Sequence, residues 1–258
     1  MESSSINQEV IEIANKEDEK LAGVLEGPPD GDVVILCHGF LSSKRSSTLQ
    51  TIVPGLVEAG FGVLRFDFSG NGESGGEFEF GNYWKEVEDL RSVVGFVRGV
   101  KKRSVKAVLG HSKGGDVVIL YAAKYGDVPI VVNVSGRFDL SRGVEERFGK
   151  EGLAAIAEHG YWDVKDSQGA VNYRVTKKSL EERLCISIEK AARTIQKNVR
   201  VLTVHGTADE TIPVDDGRSF DKVIANHALV LVEGADHRYS RHREDLQQIV
   251  CSFIESSD

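Results

Sequence analysis

The chain has 258 residues, 40% hydrophobic and 28% charged, with a formal net charge of −8. That length suits one large α/β domain, residues 1–258, with a well-buried core, and the composition is that of an ordinary globular protein. The acidic balance argues against a nucleic-acid partner, which needs a basic face, and the compact cluster Lys101-Lys102-Arg103 reads as the solvated end of a helix.

Met1–Ser5 has no basic region followed by an apolar stretch, and no segment is apolar for long enough to span a bilayer, so a cytoplasmic location is expected. Cys37, Cys185 and Cys251 are odd in number and lie in apolar contexts. They read as reduced core thiols, and none has metal-ligand spacing.

Residues 9–15 alternate, and 20–26 resume the pattern with Leu21, Val24 and Leu25, which predicts an antiparallel hairpin. Gly27–Gly31 breaks it, and Val33-Val34-Ile35-Leu36-Cys37, without polar alternation, predicts a strand buried on both faces. A helix follows over 49–59, then a strand over 62–67, making a βαβ unit. The glycine-rich stretch Phe68–Gly76 lacks both the Gly-Lys-Ser/Thr ending and the G-x-G-x-x-G spacing of a nucleotide loop. The next helix spans 82–100, with Trp84, Val87, Leu90, Val94 and Val97 on one face. A strand at 105–110, a helix at 116–125 and a strand at 129–134 continue the alternation, and strands at 199–204 and 228–232 and a helix at 241–254 complete it.

These elements predict an open, mostly parallel sheet with helices on both faces, whose ligands bind at the carboxyl ends of the strands. Residues 136–198 interrupt the rhythm and are expected to form a cap insertion over that edge.

Gly110-His111-Ser112-Lys113-Gly114 lies between a predicted strand and a predicted helix, the setting of a G-x-S-x-G nucleophile elbow. A serine hydroxyl is a poor nucleophile at neutral pH. It needs a base, a group to orient that base, and donors for the oxyanion that forms. Asp209 follows one later strand and His237 the next, so Ser112, Asp209 and His237 appear in the chain order of this arrangement. The backbone N–H groups of Lys113 and Phe40 are the candidate oxyanion donors, with Leu41 the alternative if the register differs by one.

Together, His38-Gly39-Phe40, Arg65-Phe66-Asp67, Gly110–Gly115, His205–Asp209 and Gly234-Ala235-Asp236-His237 resemble the α/β-hydrolase superfamily. Asp209–Val214 and Gly234–His237 most resemble the small cinnamoyl and feruloyl esterase branch, which overlaps with serine aminopeptidase-like proteins.

The resemblance implies a small-molecule ester substrate, an acyl-enzyme on Ser112, no metal or other cofactor, and an insertion that contacts the acyl group. Tyr161, Trp162 and Tyr173 are the aromatic candidates for that contact. Lys113 departs from the neutral residue that related esterases often carry there, and an ion pair at the turn is one role for it. Amidase, peptidase, thioesterase and acyltransferase chemistry use the same parts, and a small-molecule receptor of this fold is the non-enzymatic alternative.

Overall fold

An unbroken apolar strand can be hidden on both faces only if a helix layer covers each. The computed structural model describes residues 8–256, and its strand β3 (Val33–Cys37) is buried at every position. Val33, Ile35 and Cys37 point into one core and Val34 and Leu36 into another, following the two-residue period of a strand.

Before it come β1 (Gln8–Ala14) and β2 (Lys20–Glu26), and after it α1 (Ser47–Glu58), β4 (Gly62–Phe66), α2 (Tyr83–Gly99), β5 (Val105–His111), α3 (Lys113–Tyr125) and β6 (Ile130–Val134). The chain continues through α4 (Val144–His159), β7 (Tyr161–Lys165), β8 (Val171–Thr176), α5 (Lys177–Cys185) and α6 (Ile188–Thr194). It closes with β9 (Arg200–Gly206), α7 (Val214–Asp221), β10 (His227–Val232) and α8 (Arg243–Glu255).

The main sheet has eight strands in the order β1-β2-β4-β3-β5-β6-β9-β10. The hairpin β1-β2 joins antiparallel to β4, and every later pairing in the sheet is parallel. This is the α/β-hydrolase fold expected from the sequence. Leu49, Ile52 and Leu56 of α1 and Leu246, Val250 and Ile254 of α8 cover one face of the sheet. Residues of α2, α3, α6 and α7 cover the other.

From β3 the chain steps to β4 on one side, and from β4 it crosses to β5 on the opposite side of β3. Strand order therefore reverses between β3 and β5, and the loops at their carboxyl ends diverge to leave a crevice. His38-Gly39-Phe40 leaves β3 at this point and Ser112 leaves β5.

The long excursion between β6 and β9 resolves into two parts. Val144, Phe148, Ile156, Tyr173, Val175 and Leu180 form a separate apolar cluster with Phe80, and Phe40 and Phe78 pack against it from the loops after β3 and β4. In contrast, Ile188 and Ala192 of α6 are buried with α3 in the main helix layer.

Two local expectations are corrected. Tyr83, not Trp84, takes the buried place at the start of α2, and Trp84 is 45% exposed with the Lys124 ammonium 5.5 Å from its ring centre. Tyr83 lies against Lys113 and Arg183, where its ring and hydroxyl both find partners. Cys185 is exposed, whereas Cys37 and Cys251 are buried. The Met1–Ser5 reading lies outside the described residues. No helix among the described residues is long and apolar enough to cross a membrane.

Two buried polar groups brace the crevice from below. His38 Nδ1–H donates to Gly39 O at 2.8 Å while its Nε2 accepts the Phe68 N–H at 3.0 Å, an arrangement that only the neutral ring can make. Burial pushes its pKa down to about 4. Lys113 Nζ donates to Glu86 Oε1 at 2.6 Å, both side chains being 4% exposed, and this pair joins α3 to α2. Burial raises the Glu86 carboxyl even with Lys113 beside it, and Oε2 has no protein partner.

Stranding one member of such a pair is far costlier than replacing both. Glu86→Gln should lower unfolding free energy by about 3–5 kcal/mol in urea melts, and Glu86→Leu with Lys113→Met should recover most of that loss. Equal stability of the single and double variants would show that the pair is not coupled. The depressed His38 pKa contributes stability that is complete above about pH 6.5 and lost as pH falls toward 4, on the order of 3 kcal/mol. NMR of the His38 ring should show it neutral at pH 5.5, and a protonated ring at that pH would contradict the assignment.

Candidate active site

Ser112 stands where β5 ends and α3 begins, at φ 57° and ψ −122°. Few non-glycine residues tolerate that conformation, and it persists only where the surroundings dictate it. Here β5 is the dictating element, since it pairs with β3 on one side and β6 on the other, and Ser112 N–H donates to Val134 O at 2.8 Å. The chain then turns back so tightly that a Cβ on Gly110 would lie 1.9 Å from Gly114 O, and one on Gly114 would lie 2.4 Å from Cys37 O. Both glycines are required by close backbone approach.

Asp209 follows β9 and is buried. Its Oδ1 accepts the backbone N–H groups of Thr211 at 2.9 Å and Ile212 at 2.8 Å, which fixes the carboxylate plane. Its Oδ2 accepts His237 Nδ1–H at 2.7 Å. Burial acts to raise the Asp209 pKa, but the hydrogen bond and charge of His237 and the Ile212 N–H outweigh it and hold the carboxyl below its ordinary range. With Nδ1 committed as a donor, His237 presents Nε2 as its basic nitrogen.

Ser112 and His237 line one cavity of about 390 Å³, together with Gly39, Phe40, Leu41 and Arg147. The structure thus brings together all three residues read from the sequence as nucleophile, base and orienting acid. The oxyanion candidates meet at the same place. Phe40 and Lys113 both line a second, smaller cavity of about 60 Å³ that also opens on Ser112. Among the described residues no acceptor engages either backbone N–H. Leu41, at φ 47° and 40% exposed, lines the larger cavity and not the smaller one.

The three aromatic candidates of the excursion lie elsewhere. Tyr161 is exposed on β7 with Arg174 4.0 Å over its ring, and Trp162 packs half-buried against the Phe148 cluster. Tyr173 is buried with its ring edge-on to Phe40 at 5.3 Å. None of the three lines either cavity at Ser112.

Other residues reach the site unannounced by sequence pattern. His111 Nε2–H donates to His237 O at 2.8 Å, and the two rings lie 4.9 Å apart. Burial first, and then the neighbouring His237, push the His111 pKa down to about 4, so the ring is a neutral donor that anchors the base's loop to β5. Arg137, Arg147 and Arg183 border the smaller cavity. The one signal available for the first two was their place soon after the carboxyl end of a sheet strand. Among the described residues no three His, Cys, Asp or Glu side chains come together as a metal site.

Comparisons with known proteins agree with this fold. Residues 28–168 match the family described as serine aminopeptidase, S33, a stretch that takes in Ser112 but ends before Asp209 and His237. An uncharacterized protein of Saccharomyces cerevisiae is 28% identical over 247 residues, covering 88% of this chain and 73% of its own length. A monoacylglycerol lipase of Mycolicibacterium smegmatis is 34% identical over 101 residues, which is 38% of this chain and 35% of the lipase.

Among solved structures, the esterase Est1E of Butyrivibrio proteoclasticus with bound ferulic acid superposes at a TM-score of 0.80 with 24% identity, covering 95% of this chain and 97% of that one. The Pyrococcus furiosus esterase Pf2001 gives 0.74 with 23% identity, covering 97% and 91%. At these identities the structural likeness speaks for the fold. With more than half of its length matched by the family, the chain belongs to the serine aminopeptidase S33 family of α/β-hydrolases.

Proposed function

We propose that the protein is a serine hydrolase that cleaves carboxylic esters through an acyl-enzyme on Ser112. The observation that carries this reading is the Asp209–His237 hydrogen bond at 2.7 Å beside a serine held at φ 57° on a shared cavity. His237 Nε2 takes the Ser112 proton as the hydroxyl attacks the ester carbonyl, and Asp209 stabilises the imidazolium and holds its tautomer. The Phe40 and Lys113 N–H groups receive the oxyanion, aided by the partial positive charge at the start of α3. His237 then protonates the departing alcohol. Water repeats the attack on the acyl-enzyme and frees the acid.

The esterases among the similar structures and the monoacylglycerol lipase among the relatives favour esters as substrates. The family description favours a second reading, cleavage of an amide at a peptide amino terminus by the same residues. Thioester cleavage and acyl transfer would also use the same residues. Since Tyr161, Trp162 and Tyr173 border neither cavity, we assign acyl selection to Phe40, Phe80 and their charged neighbours instead. Tyr173 acts on the substrate only through Phe40, by fixing its ring.

Ser112→Ala should reduce turnover of 4-nitrophenyl acetate by about 10⁴-fold or more and abolish labelling by a fluorophosphonate, with the thermal midpoint preserved. A wild-type rate in that variant would end the assignment. Parallel rates on matched ester, thioester and aminoacyl-amide substrates should rank the ester first, and faster amide cleavage would favour the peptidase reading.

A further inference from the structure

Two cavities meet at Ser112, and the chemistry distinguishes them. The leaving alkoxide must be protonated by His237, so the alcohol occupies the larger cavity, which His237 lines. The smaller cavity is lined by Phe40 and Lys113, the two oxyanion candidates, is not lined by His237, and is left for the acyl chain.

Its wall is cationic to an unusual degree for a protein of net charge −8. Arg142 has carboxylate partners, Asp216 at 3.4 Å and Asp139 at 3.7 Å, and Lys113 is matched by Glu86. Arg137, Arg147 and Arg183 have no carboxylate within 4.0 Å among the described residues.

Arg137 donates to Thr211 O at 2.7 Å, and Arg183 donates to Leu140 O at 3.0 Å and to the Tyr83 hydroxyl. The Arg147 guanidinium carbon lies over the Phe40 ring, 4.7 Å from its centre, and Arg147 borders both cavities. The one carboxyl in the wall is Asp116, buried and accepting the Arg137 N–H at 2.7 Å, and burial raises its pKa well above the ordinary range. Asp116 faces Arg137 and Arg183, and Asp139 and Asp216 face Arg137, but none of these carboxyls comes within 4.0 Å of either guanidinium group.

We propose that this cavity receives an acyl chain ending in a carboxylate, so that the preferred substrates are half-esters of short dicarboxylic acids. The proposal rests on the ester-hydrolase reading above and names its substrate class. A guanidinium fork matches a carboxylate in two parallel hydrogen bonds, and Arg137, Arg147 and Arg183 offer such forks where a neutral acyl chain would leave them unmatched. A volume of about 60 Å³ admits only a short chain, since one water needs roughly 10–15 Å³ measured this way. In the reaction the ester C–O bond breaks, the alcohol leaves with a proton from His237, water supplies the new C–O bond, and the dicarboxylate is released.

The test compares monoethyl succinate with ethyl levulinate, a neutral substrate of nearly the same shape, by acid release in a pH-stat. The wild-type kcat/KM ratio should favour the half-ester by about tenfold or more at low ionic strength and shrink as salt is added. It should fall toward one in Arg147→Gln and in Arg137→Gln; Arg147 is exposed, so its variant keeps the test open if the other does not fold.

A wild-type ratio at or below one, with levulinate cleaved in a Ser112-dependent manner, overturns the anionic acyl group and leaves the hydrolase standing. A high ratio that neither variant lowers overturns the role of the arginines. Absence of turnover on both esters, with no fluorophosphonate labelling of Ser112, overturns the hydrolase reading itself.

Discussion

The site depends on one backbone constraint, the left-handed conformation of Ser112 at the exit of a strand paired on both sides. Strain of this kind costs of order 1–3 kcal/mol and survives only where neighbours leave no alternative. Val134 O holds the Ser112 N–H, the β3 carbonyl of Cys37 crowds Gly114, and the turn closes on itself at Gly110. The two strands that flank β5 thus hold the hydroxyl at the point where strand order reverses. Phe40, Asp209 and His237 arrive by the same rule, since each follows the carboxyl end of a strand in that sheet.

Polar chemistry inside this frame is arranged in layers. At its centre, Asp209 accepts two backbone N–H groups and His237 Nδ1–H, which fixes the orientation of the His237 ring. One step back, His111 ties the His237 carbonyl to β5, the strand that carries the serine. Ser112 and His237 therefore share a common mount, and a shift in β5 carries both. Further back, the Lys113–Glu86 pair and the neutral His38 fix the helix start and the loop from which the two oxyanion candidates emerge.

Much of this was legible from residue order because the fold is written in short-range signals. The continuous apolar run at 33–37 and the run at 130–134, broken only by Asn133, read as central strands, and glycines crowding one serine marked the turn. Asp209 and His237 were readable because chain order and strand-end position are both one-dimensional facts.

The rest depends on three-dimensional neighbours. Tyr83 and Trp84 offer equal claims to the buried face of α2, and the choice is made by Lys113 and Arg183 from other elements. Arg137 and Arg147 look like ordinary surface charges in a charge-rich segment until the fold brings both to the smaller cavity, with Arg147 over the Phe40 ring. The hairpin β7-β8, largely exposed, carries too little apolar alternation to announce itself.

The division of the long excursion between β6 and β9 bears on how the substrate pocket can diversify. Parallel strands lying side by side need a crossover that returns the chain to the starting edge, and α6, buried against α3, belongs to that crossover. The stretch from Gly143 through Ile186 contributes instead to the aromatic cluster around Phe148 and to the arginine wall. Inheritance can rewrite that stretch while α6 keeps the sheet closed, so the selectivity of the pocket and the integrity of the frame are encoded in separable parts of one connection.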